Sequence, residues 1–296
     1  MSDLQKSFSA LIALPTPLRK LEDKLFIEKG IEVWLKEDHL THPQLSGNKF
    51  RKLKFNLLEA RRLEKQKLLS FGGAYSNHIH ALAAAGKLFG FETMGIIRGE
   101  ELNPQSSPTL QFAASSGMKL EFVSRTAYRN KSALASAFSS DWYIIPEGGS
   151  NGEALPGCAE MVDEILEVIT PSHICTAAGT GGTAAGIFSN RQYGGKVEVF
   201  PVLKNGLFLK EEITHLADFD SSRLGFHTQY HFGGYAKYNS EFSEFIEYSE
   251  HKFNSLFDQV YTGKLLYGVT DLIVNNYFPE GSRIVIYHSG GLQGKL

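Results

Sequence analysis

The order in which apolar, β-favouring runs alternate with helical patterns constrains this chain more than any other feature. KLLSF precedes NHIHALAAAGKLF, ETMGII precedes PTLQFAASS, KLEFV precedes ALASAF, and DWYIIP precedes GEALPGCAEMVDEIL. The order resumes with SHICTAA and a glycine-led helix, continues through VEVFPVL and finishes at RIVIYHSGG. Repeated strand-then-helix units give parallel sheets covered by helices, the α/β class. Proline, glycine, serine and asparagine cluster in PEGGSNG, residues 146 to 152, between two units, and a second crossing is expected near residues 50 to 55, where a basic helix begins. With 296 residues, 42% of them hydrophobic, the chain suffices for one large domain or two ordinary ones with a well-buried core.

Ligands of open α/β sheets bind beyond the carboxyl ends of the strands, so the residues after each strand carry the functional signal. Three ends stand out: GGAYSNH after KLLSF, AGTGGT after SHICTA, and HSGG after RIVIY. Each joins small residues to hydroxyl or amide groups, which suits contact with a ligand through main chain and short side chains. In the second, Gly179, Gly181, Gly182 and Gly186 lie where an apolar run becomes a small-residue helical pattern. A helical glycine costs roughly 1 kcal/mol relative to alanine, so such a run needs a reason. Free amides at a helix start attract anions by about 0.3–1 kcal/mol, and by up to ~2 when partly buried. Thr180 and Thr183 add hydroxyl donors, which makes AAGTGGTAAGI, residues 177 to 187, a candidate phosphate cradle. A tight strand-to-helix turn packed against a neighbour would use the same glycines. The spacing fits neither GxxxxGK(S/T) nor GxGxxG, so a standard nucleotide loop is not expected. Lys49, in LSGNKFRKL at residues 45 to 53, supplies the second end of such a site: an amine able to bond an aldehyde.

Thirty basic residues against thirty-two acidic ones give a formal charge of −2, and nothing in that balance recommends a nucleic-acid or membrane-surface partner. The stretch from Lys49 to Lys67 is locally basic, but Phe50, Leu53, Leu57 and Leu58 recur within it at helical spacing, as on a helix with one solvated face. Two cysteines, Cys158 and Cys175, sit among small or apolar neighbours and define no disulfide framework. The longest apolar candidate near the start, ALIAL, is interrupted by Pro15 and Pro17, and no apolar run approaches the ~18 residues of a membrane span. A cytoplasmic, globular, enzyme-sized protein is the expectation.

The chain resembles the pyridoxal-phosphate enzymes of the tryptophan synthase β type, and within them the branch of D-cysteine desulfhydrase and 1-aminocyclopropane-1-carboxylate deaminase. The resemblance runs in order through TPLRKL, SGNKFRKL, AYSNHIHALAAAGKLFG, IPEGGSNGEALPG, AAGTGGTAAGI, GGYAKYN, VYTGK and YHSGG. It implies pyridoxal 5'-phosphate in a cleft between two α/β domains, a smaller one over 53–147 and a larger one from 1–52 plus 148–296. It also implies a homodimer, and no metal ligand is assigned. By resemblance Lys49 is the lysine that bonds the cofactor and Asn77 the amide on its ring oxygen. Gly179, Thr180, Gly181, Gly182 and Thr183 form the phosphate cradle, with Lys52 assisting unless it is one more solvated helix lysine. Ser76 matches the active-site serine, placed for the substrate carboxylate or for proton transfer. His78 is expected to cap or pack. Tyr235 and Tyr261 match two pocket tyrosines, and a phenol there donates a proton to a leaving group or polarises it. Ser289 matches the position beside the pyridine nitrogen, where a neutral hydroxyl makes a weaker electron sink than a carboxylate and suits elimination over transamination.

The implied activity is loss of the β-substituent from a small amino acid, with D-cysteine giving pyruvate, sulfide and ammonia. Deamination of the cyclopropane substrate, elimination from another D-amino acid, and cofactor binding without turnover are the alternatives. Thr262 stands where ring-opening deaminases carry glutamate, and Ser289 replaces a bulkier apolar residue, which points to the desulfhydrase side. Tyr75 replaces a common glutamine before Ser76, and segments around 98–110 and 203–225 are abbreviated. Such loops set substrate preference rather than core chemistry.

Overall fold

The computed structural model describes residues 2–295. Among the described residues ten strands are present: β1 (Leu18–Leu21), β2 (Glu32–Lys36), β3 (Lys67–Gly72), β4 (Glu92–Arg98), β5 (Lys119–Val123), β6 (Trp142–Ile144), β7 (His173–Ala178), β8 (Lys196–Pro201), β9 (Leu224–Phe226) and β10 (Arg283–Tyr287). The helices are α1 (Asp3–Leu11), α2 (Lys24–Glu28), α3 (Asn48–Arg62), α4 (Asn77–Phe89), α5 (Pro108–Ser115), α6 (Lys131–Ser136), α7 (Ala154–Leu166), α8 (Gly182–Ser189), α9 (Leu209–Leu216), α10 (Ser240–Phe253) and α11 (Thr262–Val274). The smaller sheet has the order β5-β4-β3-β6 and is parallel throughout. The larger has the order β1-β2-β10-β7-β8-β9, parallel except where β1 meets β2. The alternation read from the chain is therefore two α/β units, each with a largely parallel sheet.

Both sheets are covered on two faces, which is why their central strands read as near-continuous apolar runs. Over one face of the smaller sheet, Leu53 and Leu57 of α3 join Ile79 and Leu82 of α4 and Leu110 of α5 around Leu68 and Ile97. On the other face Leu69, Phe71 and Ile96 meet Tyr128. In the larger sheet Leu35, Phe200, Ile284 and Ile286 pack on Phe242 and Ile246 of α10 and Leu265 and Val269 of α11. The opposite face sets Ile174, Val197, Val199 and Val285 against α7, α8 and α9. One segment departs from the expected division. Leu4 and Phe8 of α1 lie in the core that covers the smaller sheet, with Phe8 edge-on to Phe50 and Phe89. An amphipathic helix must bury its apolar stripe, but the stripe does not name the sheet that receives it.

Helix α3 joins the two units. Its Arg51 is fully buried and donates to both oxygens of Asp38, each at 3.0 Å, and to both oxygens of Glu164 at 2.7 and 2.9 Å. Lys36 reaches Glu164 at 2.5 Å, and the Tyr287 hydroxyl donates to Asp38 at 2.7 Å. Two cations and two carboxylates balance. Burial alone would raise the Asp38 carboxyl, yet Arg51 and its hydrogen bonds hold it below the usual carboxylate range. Helix α7 can come this close because residue 157 is glycine: a Cβ there would drive into the Arg51 carbonyl oxygen.

Candidate active site

Helix α3 starts against the end of β10. Gly47 has φ of +62°, and the Asn48 amide donates to the Ser289 carbonyl at 3.1 Å. Lys49 follows in the first turn, and its Nζ donates to Asn48 Oδ1 at 2.7 Å, while Asn48 Nδ2 donates to Thr183 Oγ1 at 3.0 Å. The amine is thus tied through one amide to the first turn of α8. Burial, reinforced by the charge of Lys52, lowers the Lys49 amine from 10.5 to about 7. Burial brings Lys52 down to about 8. Lys52 lies one turn along the same face of α3, since residues three apart are neighbours on a helix.

The glycine-rich run forms the turn from β7 into α8. Gly181 is left-handed at φ +77° and no side chain caps the helix. The first ladder bond is Ala185 N–H to the Gly181 carbonyl, so the amides of Gly182, Thr183 and Ala184 lie outside it. Lys52 Nζ stands over this turn, donating to the Gly148 carbonyl at 3.1 Å, to Ser150 Oγ at 3.0 Å and to Thr180 Oγ1 at 3.4 Å. Lys52 is therefore buried against this turn and not a solvated helix lysine. The Ser150 and Thr180 hydroxyls are 2.7 Å apart. An ammonium, hydroxyls and uncapped amides form a donor-rich set that fits a phosphate dianion. Ser150, which lies in the turn between the two units, drew no attention in the sequence; only its distance from Lys52 reveals it.

Facing these groups is the start of α4. Ser76 is its N-cap, with Oγ accepting from the Ile79 amide at 3.3 Å, and Asn77 is the first helical residue. His78 turns inward as expected: Nε2 is 2.8 Å from Ser70 Oγ, and burial lowers the ring to about 3. Tyr75 is 56% exposed at the same turn. One cavity is lined by Lys49, Asn77, Tyr261 and Ser289, with Gln44 and Gln293 beside them. Ser76 borders it through Asn77 without lining it. Tyr235 stands outside as well, 43% exposed, its ring edge-on to Tyr261 at 6.0 Å between centroids. A Cβ on Gly179 would meet the Tyr261 hydroxyl at 3.1 Å, so the glycine turn admits the phenol. Burial, with Tyr235 alongside, pushes that phenol well above its ordinary value of 10.0, and burial raises Tyr235 as well.

Two charged residues that hold the tyrosines escaped sequence reading. The buried Asp258 accepts from the Tyr261 amide and the Thr262 amide, both at 2.8 Å, and from Thr262 Oγ1 at 2.6 Å. Thr262 is 1% exposed and spends its hydroxyl on that carboxylate. Lys264, also buried, donates to the carbonyls of His231 and Gly234 at 2.9 and 2.8 Å, just before Tyr235. The signal for Asp258 was an aspartate ahead of a helix start; none in the sequence linked Lys264 to the loop that it holds.

Residues 10–206 match the family described as pyridoxal-phosphate dependent enzyme. A bifunctional D-cysteine desulfhydrase/1-aminocyclopropane-1-carboxylate deaminase of Arabidopsis thaliana, mitochondrial by name, is 30% identical over 96% of this chain and 78% of its own. A D-cysteine desulfhydrase of Salmonella typhi is 27% identical over 95% of this chain and 93% of its own. The crystal structure of an ACC deaminase homologue superposes with a TM-score of 0.79, covering 99% of this chain and 96% of that one at 24% identity, and so shares the fold. Among the described residues no helix is long and apolar enough to cross a membrane.

Proposed function

The chain belongs to the pyridoxal-phosphate-dependent enzymes, and from that premise we propose that it is a lyase removing the β-substituent of a small amino acid, foremost D-cysteine. The observation that carries the reading is the single cavity shared by Lys49, Asn77, Tyr261 and Ser289, next to a turn of uncapped amides. When bound there, pyridoxal phosphate supplies an aldehyde that condenses with amines and a ring that spreads the charge left by a departing α-proton.

Each residue then has a task of its own. Lys52, Ser150, Thr180 and the amides of Gly179, Gly181, Gly182 and Thr183 would hold the phosphate. Asn77 would donate to the ring oxygen, and Ser289 would offer the ring nitrogen a neutral hydroxyl, which favours elimination. An amine lowered to about 7 is half in its neutral form near neutrality, so Lys49 can bond an aldehyde and, once displaced, accept the α-proton. The Ser76 hydroxyl proton and the two amides at the start of α4 that its cap leaves free, those of Asn77 and His78, suit the substrate carboxylate. Tyr261 keeps its proton because burial and Tyr235 hold it on, which makes it the donor to the departing sulfur. D-cysteine and water then give pyruvate, hydrogen sulfide and ammonia. Thr262 spends its hydroxyl on Asp258, so position 262 supplies no carboxyl for ring opening. The names of the Salmonella and Arabidopsis relatives support the same substrate.

The purified holo-protein offered D-cysteine, L-cysteine, D-serine and 1-aminocyclopropane-1-carboxylate in turn should release sulfide and keto acid from D-cysteine most rapidly. Keto acid from the cyclopropane substrate without sulfide from D-cysteine would reverse the choice. The reading also takes the protein as a homodimer acting in the cytoplasm, supported by the family resemblance and by two buried free thiols, Cys158 and Cys175. Light scattering that returned the mass of one chain would remove the dimer.

A further inference from the structure

We infer that Gln293 is a positioning residue for the cofactor, acting through Asn77. An asparagine amide has a donating and an accepting end, and only the donating end serves a ring oxygen. Gln293 Nε2 donates to Asn77 Oδ1 at 2.8 Å, across 216 residues of chain. With Oδ1 engaged, the NH2 end of Asn77 is the one left for the cavity that both residues line. A second contact works in the same direction: a Cβ on Gly291 would lie 3.0 Å from Asn77 Nδ2, so the NH2 end passes over a bare α-carbon.

The segment carrying Gln293 is built to reach this point. Gly290 and Gly291, at φ of +87° and +94°, turn the chain back after Ser289. A single 3-10 turn over Leu292–Gly294 follows, and Lys295 anchors it by pairing with Glu250. Ser289 and Gln293 thus leave one strand end to reach the same cavity, Gln293 through its hydrogen bond to Asn77.

The inference rests on the reading that Asn77 serves the ring oxygen, and the test separates the two. Cofactor-free protein is titrated with pyridoxal phosphate, and the affinity and the pH midpoint of the bound cofactor's absorbance band are recorded. The variants are Gln293→Leu, Gln293→Glu, Asn77→Ala and the two doubles. Losing one neutral hydrogen bond should weaken binding about fivefold in Gln293→Leu and move the band. Ionised glutamate can only accept, so Gln293→Glu should rotate the Asn77 amide and weaken binding on the order of tenfold or more. Measured against wild type at each pH, that defect should shrink from about pH 8 to about pH 5, because a protonated carboxyl donates again. Neither change at 293 should matter once Asn77 is alanine. Unchanged affinity and band in Gln293→Glu, or an equal loss in the Asn77→Ala background, overturns the role of Gln293 alone. An Asn77→Ala protein with the wild-type band overturns the role of Asn77, and that of Gln293 with it.

Discussion

Replacing Gly182 by alanine should separate fold stability from cofactor affinity. Gly182 opens α8 and its φ is not positive, so the backbone accepts alanine. On helix propensity alone the change stabilises by up to about 1 kcal/mol. The new methyl, however, would sit 2.5 Å from Ser150 Oγ, 2.8 Å from Ser150 Cβ and 3.1 Å from Lys52 Nζ, so Ser150 must move as a whole. Moving the hydroxyl from 2.5 Å to an ordinary contact of 3.4 Å displaces it by about 0.9 Å. That strains the Ser150 bonds to Lys52 at 3.0 Å and to Thr180 at 2.7 Å. It also sets a methyl between the amides and the ammonium that would share the phosphate.

Loss of one charge-assisted hydrogen bond, worth about 1.5–3 kcal/mol, weakens pyridoxal phosphate binding roughly 10- to 150-fold. The cofactor-free protein should meanwhile unfold within about 2 °C of wild type, because the helix gain and the displaced hydroxyl offset each other. Titration of the cofactor-free variant, followed by absorbance, measures the first quantity, and a thermal scan without cofactor the second. A Gly182→Ala protein that binds within about twofold of wild type would refute the cradle. So would a loss of affinity matched by an equal loss of stability, since the cause would then be the fold.

Capture of the cofactor by Lys49 should rise as pH passes about 7, far below the ordinary lysine value of 10.5, because only the neutral amine condenses with an aldehyde. Lys49→Ala should hold no borohydride-reducible cofactor at any pH, and a reducible adduct in that variant, or a capture midpoint near that of a solvated lysine, would contradict the assignment. Thr262→Glu should not produce a ring-opening enzyme. It removes the 2.6 Å hydrogen bond to Asp258 and sets a second carboxylate beside that buried one, so urea denaturation should show a loss of about 2–4 kcal/mol. Wild-type stability with new deaminase activity would show that the Thr262–Asp258 pair does not exclude ring opening.

The parts of the site legible in the sequence were those whose chemistry is local. A strand ending in AGTGGT declares a turn with free amides wherever it folds, and Ser76 before a helical run declares a cap. Residues that act by long-range proximity declared nothing. Ser150 meets Lys52 across 98 positions, and Gln293 meets Asn77 across 216. Lys264 reads as one more helix lysine until the carbonyls of His231 and Gly234 close on it. The same blindness affected α1, since the sheet that receives an apolar stripe is decided by the packing of the whole chain.

That division also explains why the lysine helix is the fixed part of the machine. Leu53 and Leu57 lock α3 into the core of the smaller sheet, while Arg51 binds it to Asp38 and Glu164, and Asn48 binds it to the end of β10. Removing one partner from a buried ion pair costs about 3–5 kcal/mol, so Lys49 cannot shift toward either sheet without losses of that order. Such an anchored amine keeps the placement that covalent chemistry demands, where an error of about 1 Å costs on the order of 10²-fold in rate. Adaptation to a substrate must then fall to groups outside this frame. Tyr75 at 56% exposure and Tyr235 at 43% stand on the turns that border the cavity and present part of each ring to solvent. Exchanging those two side chains should therefore redirect substrate preference while leaving capture of the cofactor by Lys49 intact.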